Sequence, residues 1–152
     1  MRPIKFYINL GFEEFTQFGG LVFYLAVLVT LFLTNDKPTS YHLFFGLIAM
    51  YILVSTLRLL NFKKRPNPMK YSNIIEKIDS GSFPSMHSTR STFLFLNLIK
   101  FFSNQYLTII FITIILLVCY SRMYLNKHYS SDIAVGIILG ILIEYGLNLI
   151  NL

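Results

Sequence analysis

Residues 106–124 read YLTIIFITIILLVCYSRMY, a stretch whose only charged side chain is an arginine near its end. A helix needs about 20 mostly apolar residues to cross the hydrocarbon core of a bilayer. Inside that core there is no water to satisfy backbone polar groups, and a helix satisfies them internally. The stretch therefore predicts a membrane-spanning helix.

The same pattern recurs along the chain. Four further segments are apolar enough to predict spans, at residues 18–33, 41–60, 84–102 and 132–149. The segment at 84–102 starts with polar side chains, which is typical of a helix that lines a cavity or faces other protein. Residues 1–20 predict a short amphipathic helix at the membrane interface. We expect an all-α, polytopic transmembrane bundle of about five spanning helices plus that interfacial helix, in one membrane-embedded domain over residues 1–152.

The composition agrees with a bilayer as the solvent. Of the 152 residues, 55% are hydrophobic and 13% are charged, and the mean hydropathy is +0.60. Disordered chains are poor in apolar residues, and a soluble domain of about 150 residues cannot hide this much apolar surface from water. The single cysteine, Cys119, excludes an intramolecular disulfide framework and a cysteine-rich zinc site. The net charge of +6 lies between apolar spans, so we expect membrane lipids and no nucleic acid as partners.

Counting the predicted spans assigns each connection to a side of the membrane. Residues 61–83, residues 121–131 and the N-terminus fall on one side, here called face A. Residues 34–40 and the C-terminus fall on the other side, face B. The end of the second span, the start of the third and the hinge between the last two therefore meet on face A.

Three polar clusters converge there: Arg58-x6-Arg65-Pro66, Pro84-Ser85-Met86-His87 and Ser121-Arg122-x5-His128-x3-Asp132. A guanidinium cannot be neutralised, and its fork of donors matches phosphate oxygens. Each arginine alone would be expected to reach for lipid headgroups. Three arginines from separate segments, beside two histidines, predict an anion-binding site.

The histidines suit phosphate chemistry. His128 and Asp132 are four residues apart and are neighbours if the stretch is helical. A carboxylate that accepts from one ring nitrogen leaves the other free to attack, although Asp132 also fits a helix start. His87 and Ser85 open a helix whose free N–H groups can hold phosphate oxygens, and His87 could protonate a leaving oxygen. The alternative is an N-cap serine beside an interfacial histidine.

These clusters resemble the signature of the type 2 phosphatidic acid phosphatase superfamily: Lys-x6-Arg-Pro, Pro-Ser-Gly-His and Ser-Arg-x5-His-x3-Asp. The resemblance covers about residues 50–145, and the third motif matches in full. Two positions depart from the signature. Arg58 stands where the family has lysine, and Met86 stands where it has glycine.

The resemblance implies a helical bundle shared with vanadium haloperoxidases, and a mechanism without metal or cofactor. In that mechanism His128 attacks phosphorus to form a phosphohistidine, Asp132 orients His128, and His87 protonates the leaving group. Phosphate oxygens would be bound by Arg58, Arg65, Ser85, Met86 and Arg122. Arg90, three residues after His87 on the same helix face, is a candidate substrate contact for a second phosphate, or else pairs with a headgroup.

The expected function is that of an integral-membrane lipid phosphatase. The substrate would be a lipid phosphomonoester or diphosphate, with a polyprenyl diphosphate of the undecaprenyl carrier type first, and phosphatidic acid or phosphatidylglycerophosphate second. A weak or inactive anionic-lipid-binding protein and a lipid phosphotransferase are the alternatives. Most basic residues lie on face A, which by the positive-inside rule would be cytoplasmic. Lipid phosphatases that this chain resembles usually act on the outer or lumenal face, so we expect the site on the outer face.

The remaining polar residues predict supporting roles. His42 is expected at the membrane interface on face B, and Glu144 near it in a structural role. The lysines of the long connection are expected to hold it against anionic headgroups; they are Lys63, Lys64, Lys70 and Lys77.

Overall fold

A computed structural model describes residues 3–150. Seven helices form within that range: α1 (Ile4–Gln17), α2 (Leu21–Leu33), α3 (Lys37–Leu60), α4 (Ile74–Ser80), α5 (Met86–Phe102), α6 (Gln105–Tyr124) and α7 (Ser130–Leu149). Polar side chains start several of them. Asp36 accepts from Thr39 N at 3.2 Å before α3, and Asn104 accepts from Tyr106 N at 2.9 Å before α6. Such caps satisfy N–H groups that have no partner inside the helix.

The prediction of an all-helical, polytopic membrane bundle is confirmed. By length and composition α3, α6 and α7 can each cross a membrane, and α1 with α2 can form a fourth, broken span with a bend of 41°. The predicted five spans correspond to α2, α3, α5, α6 and α7. However, α2 has only 13 residues, and α5 has 17 with a polar first half, so neither qualifies alone.

The predicted N-terminal interfacial helix corresponds to α1, but one side of it is not free. Its Phe12 ring lies 4.3 Å from the ring of Tyr124 and 5.5 Å from that of Tyr120, both on α6. At its end, the Thr16 hydroxyl is buried. Thus α1 packs against α6 as part of the bundle.

Helix α5 lies at the centre of the bundle, against α3, α6 and α7. Glycines allow the closest approach: a Cβ at Gly136 would lie 2.7 Å from the carbonyl oxygen of Ser85, and one at Gly140 would lie 2.8 Å from that of Thr89. Small residues let helix backbones approach in this way within membranes. The polar first half of α5 is therefore enclosed by protein.

The connection between α3 and α5 folds back over the end of the bundle. Lys64 pairs with Gly81 in an isolated antiparallel bridge, and Ser82 N donates to the carbonyl oxygen of Lys63 at 2.8 Å. This pairing brings Lys63 and Ser82 beside the start of α7. The predicted convergence of three segments at one end of the bundle is thus observed, with α4 as an additional element.

The opposite end carries a buried ionic cluster, and here the expectation for His42 is corrected. His42 is not interfacial: it is buried, and its Nε2 lies 2.9 Å from Glu144 Oε2. Glu144 also accepts from Asn97 at 2.7 Å and from Lys100 at 2.5 Å. A carboxylate inside a membrane bundle requires such partners, and the helices that bring them together are far apart in sequence.

Candidate active site

His128 lies in the short connection between α6 and α7. The carbonyl oxygen of Arg122 accepts from the backbone N–H groups of Lys127 and His128 at 3.0 and 3.2 Å, which closes the turn after α6. The ring is almost fully buried, and its Nδ1 lies 2.7 Å from the carbonyl oxygen of Ser82. A carbonyl oxygen only accepts, so this contact assigns the proton of the neutral ring to Nδ1. The lone pair is then on Nε2.

Asp132 lies behind the His128–Ser82 pair and does not contact the imidazole ring directly. Its Oδ2 lies 4.0 Å from His128 Nδ1 and accepts from Ser82 Oγ and, at 3.0 Å, from Tyr129 N. The predicted direct carboxylate–imidazole hydrogen bond is therefore replaced by a relay through Ser82. The reason is that the connection before α5 inserts this serine between the two residues.

Lys63 was predicted to lie against headgroups, and the structure corrects this. Its Nζ lies 2.6 Å from Asp132 Oδ1 and 3.1 Å from Ser131 Oγ, and it stands over the Tyr129 ring at 4.3 Å. Asp132 is completely buried, so Lys63 supplies the charge that a buried carboxylate needs. No spacing in the sequence indicates this pair, because 69 residues separate its members.

The start of α5 is tied to both neighbouring clusters. Ser85 caps the helix, with its Oγ 3.4 Å from Ser88 N, and Ser85 N donates to the carbonyl oxygen of Asp132 at 3.0 Å. Arg58 Nη2 donates to the carbonyl oxygen of Pro84 at 3.0 Å. His87 follows and is partly buried; within residues 3–150 its ring has no hydrogen-bond partner.

Three of the four arginines donate to oxygen atoms that carry no charge. Arg58 Nη1 donates to the carbonyl oxygen of Ile78 at 3.1 Å, and Arg65 Nη2 to that of Asp79 at 2.5 Å. Arg122 Nη1 donates to Thr16 Oγ1 at 2.9 Å. Within residues 3–150, no carboxylate forms an ion pair with Arg58, Arg90 or Arg122. Their buried nitrogens without a hydrogen-bond partner are Arg58 Nε, Arg90 Nε, Arg90 Nη1 and Arg122 Nε.

A cavity of about 430 Å³ joins most of these groups. Of the nine residues predicted for the site, six line it: Arg58, Arg65, Met86, His87, Arg90 and His128. The other three, Ser85, Arg122 and Asp132, support the lining through the contacts above. The cavity is also lined by residues that no motif in the sequence indicates. They come mainly from α3 and from α4 with its flanks: Tyr51, Ser55, Met69, Ile75, Ile78 and Asp79.

The electrostatics of the cavity favour a neutral histidine and a bound anion. Burial, together with the smaller effect of the positive charges of Arg122 and Arg65, lowers the pKa of His128 from 6.5 to about 3. A neutral imidazole has the lone pair that nucleophilic attack needs. The part of the chain that the structure describes contains no group of three or more His, Cys, Asp or Glu residues suited to a metal ion.

Comparison with known proteins agrees with this geometry. The family model described as the PAP2 superfamily matches residues 41–151. A search of curated protein sequences gives no match.

Two solved structures share the fold. A transmembrane PAP2-type phosphatidylglycerolphosphate phosphatase from Bacillus subtilis has a TM-score of 0.77 and 23% identity, over 99% of this chain and 79% of that one. LpxE from Aquifex aeolicus has a TM-score of 0.76 and 19% identity, over 95% and 86%. The family match confirms the prediction of a phosphoric monoester hydrolase. The chain therefore belongs to the PAP2 superfamily and is an integral-membrane lipid phosphatase of that superfamily.

Proposed function

We propose that this protein removes phosphate from a lipid phosphomonoester or diphosphate through a phosphohistidine formed on His128. One observation carries the proposal: buried arginines without carboxylate partners surround a cavity into which a neutral histidine opens. Buried charge is costly unless it is paired. A phosphate group supplies the missing negative charge and presents its phosphorus to the histidine.

In the proposed reaction, His128 Nε2 attacks phosphorus while the carbonyl oxygen of Ser82 holds Nδ1–H. Asp132 orients this assembly through Ser82, and His87 gives a proton to the leaving oxygen. Arg58, Arg65 and Arg122, with Ser85 and the amides around Met86 and His87, stabilise the charge on the equatorial oxygens. Water then attacks the phosphohistidine and releases inorganic phosphate. No metal or cofactor takes part in this proposal.

The cavity suits a substrate that arrives from the bilayer. Met69, Ile75 and Ile78 contribute apolar surface to its wall, and Ile75 is 71% exposed on the outside of the bundle. This apolar surface lets a lipid pass from the bilayer to the arginines. We take a polyprenyl diphosphate as the first substrate, and phosphatidic acid or phosphatidylglycerophosphate as the second, the last being the lipid for which the Bacillus subtilis structure is named.

We further propose that the cavity opens to the outer side of the membrane. Lys70 lies exposed in the connection on face A, and the native Cys119 is buried. In a Lys70→Cys variant, a membrane-impermeant maleimide should label intact cells. Labelling that requires permeabilised cells would assign the site to the cytoplasm.

The mechanism is tested by phosphate release from the purified protein with a chelator present, beside His128→Ala. We expect release that survives chelation and falls by at least about 1,000-fold in the variant. A labelled substrate should leave acid-labile phosphate on the wild-type protein and none on His128→Ala. Release that needs a divalent metal, or persists without His128, would overturn the mechanism.

A companion variant separates the roles of the two histidines. If His87 only protonates the leaving oxygen, His87→Ala should lose activity on an alkyl phosphate and keep most of it on an aryl phosphate, whose leaving group needs no proton. Equal losses on both substrates would remove His87 from that role. Appearance of phosphate on an added alcohol instead of water would favour a phosphotransferase.

A further inference from the structure

We propose that Arg90 forms a second phosphate subsite, which binds the α-phosphate of a lipid diphosphate and makes diphosphates the preferred substrates. This inference rests on the proposed function and deepens it. It concerns the position of one side chain in the cavity, one turn of α5 beyond His87.

The guanidinium of Arg90 is buried and has no hydrogen-bond or ion-pair partner among the described residues. The residue is 5% exposed, and Nε and Nη1 are completely buried without a hydrogen bond. The centroid of the Tyr51 ring lies 6.0 Å from Arg90 Cζ, and Tyr24 also lies within electrostatic range. Arg90 and Tyr51 line the same cavity as His87 and His128.

Electrostatics sharpen the need for an anion. Arg90 lies close enough to Arg58 and Arg122 for their positive charges to repel its own. An arginine keeps its charge even when it is buried. A cation–π contact offsets only a small part of the cost of desolvation. The buried charge of Arg90 therefore favours a ligand that brings negative charge into the cavity.

The position of Arg90 along α5 indicates which phosphate of the ligand it binds. Arg90 follows His87 by three residues, so it lies on the same helix face, about 4.5 Å farther from face A. In a lipid diphosphate the α-phosphate lies between the terminal phosphate and the tail. The terminal phosphate would lie between His128 and the arginines nearest face A, Arg58 and Arg65. The α-phosphate would then extend past His87 toward the membrane interior and reach Arg90.

A monophosphate fits the same cavity less well. Its tail begins directly at the leaving oxygen, so apolar carbon would lie against the Arg90 guanidinium and leave the charge of this side chain without a counter-charge. An unpaired buried charge discriminates strongly between ligands. The monophosphate would desolvate Arg90 without forming the hydrogen bond that the diphosphate forms.

The chemistry balances with the proposed mechanism. His128 Nε2 forms a bond to the terminal phosphorus, and the bond from that phosphorus to the bridging oxygen breaks. The bridging oxygen leaves on the lipid monophosphate, protonated by His87 and still held by Arg90. Water then cleaves the phosphohistidine, which yields inorganic phosphate and free His128.

The test uses farnesyl diphosphate and farnesyl phosphate, which share one tail, with the full-length protein in detergent. The quantity compared is the ratio of kcat/KM for the diphosphate to kcat/KM for the monophosphate. This ratio is independent of the fraction of protein that is active, so partial misfolding of a variant does not affect it. Variants are Arg90→Lys and Arg90→Met, with Lys70→Gln as a control that removes one exposed charge from face A.

We expect the wild type to prefer the diphosphate by at least about tenfold, and Arg90→Met to lower the ratio about 10- to 100-fold, the effect of one charge-assisted hydrogen bond. Arg90→Lys should retain an intermediate ratio, and Lys70→Gln the wild-type ratio. A wild type that prefers the monophosphate, or a ratio unchanged in Arg90→Met, would overturn the inference, and the wild-type measurement decides even if both Arg90 variants fail to fold. A wild type that hydrolyses neither farnesyl substrate would also overturn the inference. The proposed function itself fails if that wild type releases no phosphate from phosphatidic acid or phosphatidylglycerophosphate either, or if His128→Ala is as active as wild type.

Discussion

His128 Nδ1 lies 2.7 Å from the carbonyl oxygen of Ser82, and the hydroxyl of this same serine donates to Asp132. The ring of the proposed nucleophile is thus fixed by a backbone atom, while the carboxylate fixes the residue that carries that atom. A direct hydrogen bond between Asp132 and His128 would both orient the ring and place the negative charge beside it. Here the carbonyl oxygen of Ser82 orients the ring, and the charge of Asp132 acts on Ser82.

Asp132→Asn and Ser82→Ala should therefore be weakened enzymes and not inactive ones. The Ser82 carbonyl remains in both variants, so we expect kcat to fall about 10- to 100-fold with little change in KM, against at least about 1,000-fold for His128→Ala. Ser80→Ala is the matched control, because among the described residues the Ser80 hydroxyl bonds only to the carbonyl oxygen of Lys77. An Asp132→Asn variant as inactive as His128→Ala would show that the carboxylate acts on the ring itself.

Lys63→Met tests the ion pair that the sequence did not reveal. The substitution leaves the fully buried Asp132 carboxylate without its cation, although Ser82 and Tyr129 N still donate to it. Because the Lys63 side chain is 39% exposed, water screens part of the interaction, and we expect a loss of about tenfold in kcat. Lys64→Met removes a neighbouring charge without touching Asp132. Equal effects of the two substitutions would mean that only net charge matters.

The sequence predicts an interaction when the residues that form it are close together along the chain. Spans, caps and the three motif clusters depend on residues within a few positions of one another, and the alternation of spans brought the clusters to one end of the bundle. Three residues that support the site could not be predicted, because each contacts it across more than 45 residues of chain or through a backbone atom. They are Lys63, Ser82 and Thr16. His42 was misplaced for the same reason, since its partner Glu144 is 102 residues away.

Gly136→Ala should damage the site from outside it. The new methyl group would lie 2.7 Å from the carbonyl oxygen of Ser85, the residue that caps α5 in front of His87. The contact is with backbone, so either α7 or the start of α5 must shift, and we expect destabilisation of about 1–3 kcal/mol together with lower kcat.

Gly146→Ala provides the control in the same helix, where a Cβ meets nothing within 4 Å. Alanine is favoured over glycine inside a helix, so this variant should be unchanged or stabilised by up to about 1 kcal/mol. Thermal unfolding in detergent, with activity measured on the same samples, compares the two. A Gly136→Ala protein with wild-type stability and kcat would mean that α5 and α7 are not held together as closely as described.

The low pKa of His128 predicts a particular acid sensitivity. Its pKa is about 3 in the folded protein and near 6.5 when unfolded, so between these values the unfolded chain binds a proton that the folded chain does not. Stability is therefore fully present above about pH 6.5 and falls toward pH 3, by up to about 1.4 kcal/mol per pH unit. His128→Gln, which keeps a donor for Ser82, should show a shallower loss of unfolding temperature between pH 7 and about pH 5. Parallel profiles in the two proteins would contradict a depressed His128 pKa.

Glu144 should matter for stability and not for chemistry. It accepts from His42, Asn97, Lys100 and Asn148 at the end of the bundle opposite the cavity. Glu144→Gln replaces the carboxylate of this cluster by an amide, whose nitrogen is set against the same donors, and this should cost about 3–5 kcal/mol of unfolding free energy. Lys100→Met should cost at most about 1 kcal/mol, because the Lys100 side chain is 57% exposed and the remaining donors still satisfy the carboxylate.

Below its unfolding temperature, Glu144→Gln should keep kcat within about twofold of wild type, since distant sites act independently. A large fall in kcat with unchanged stability would instead mean that the two ends of the bundle are coupled through α5 and α7.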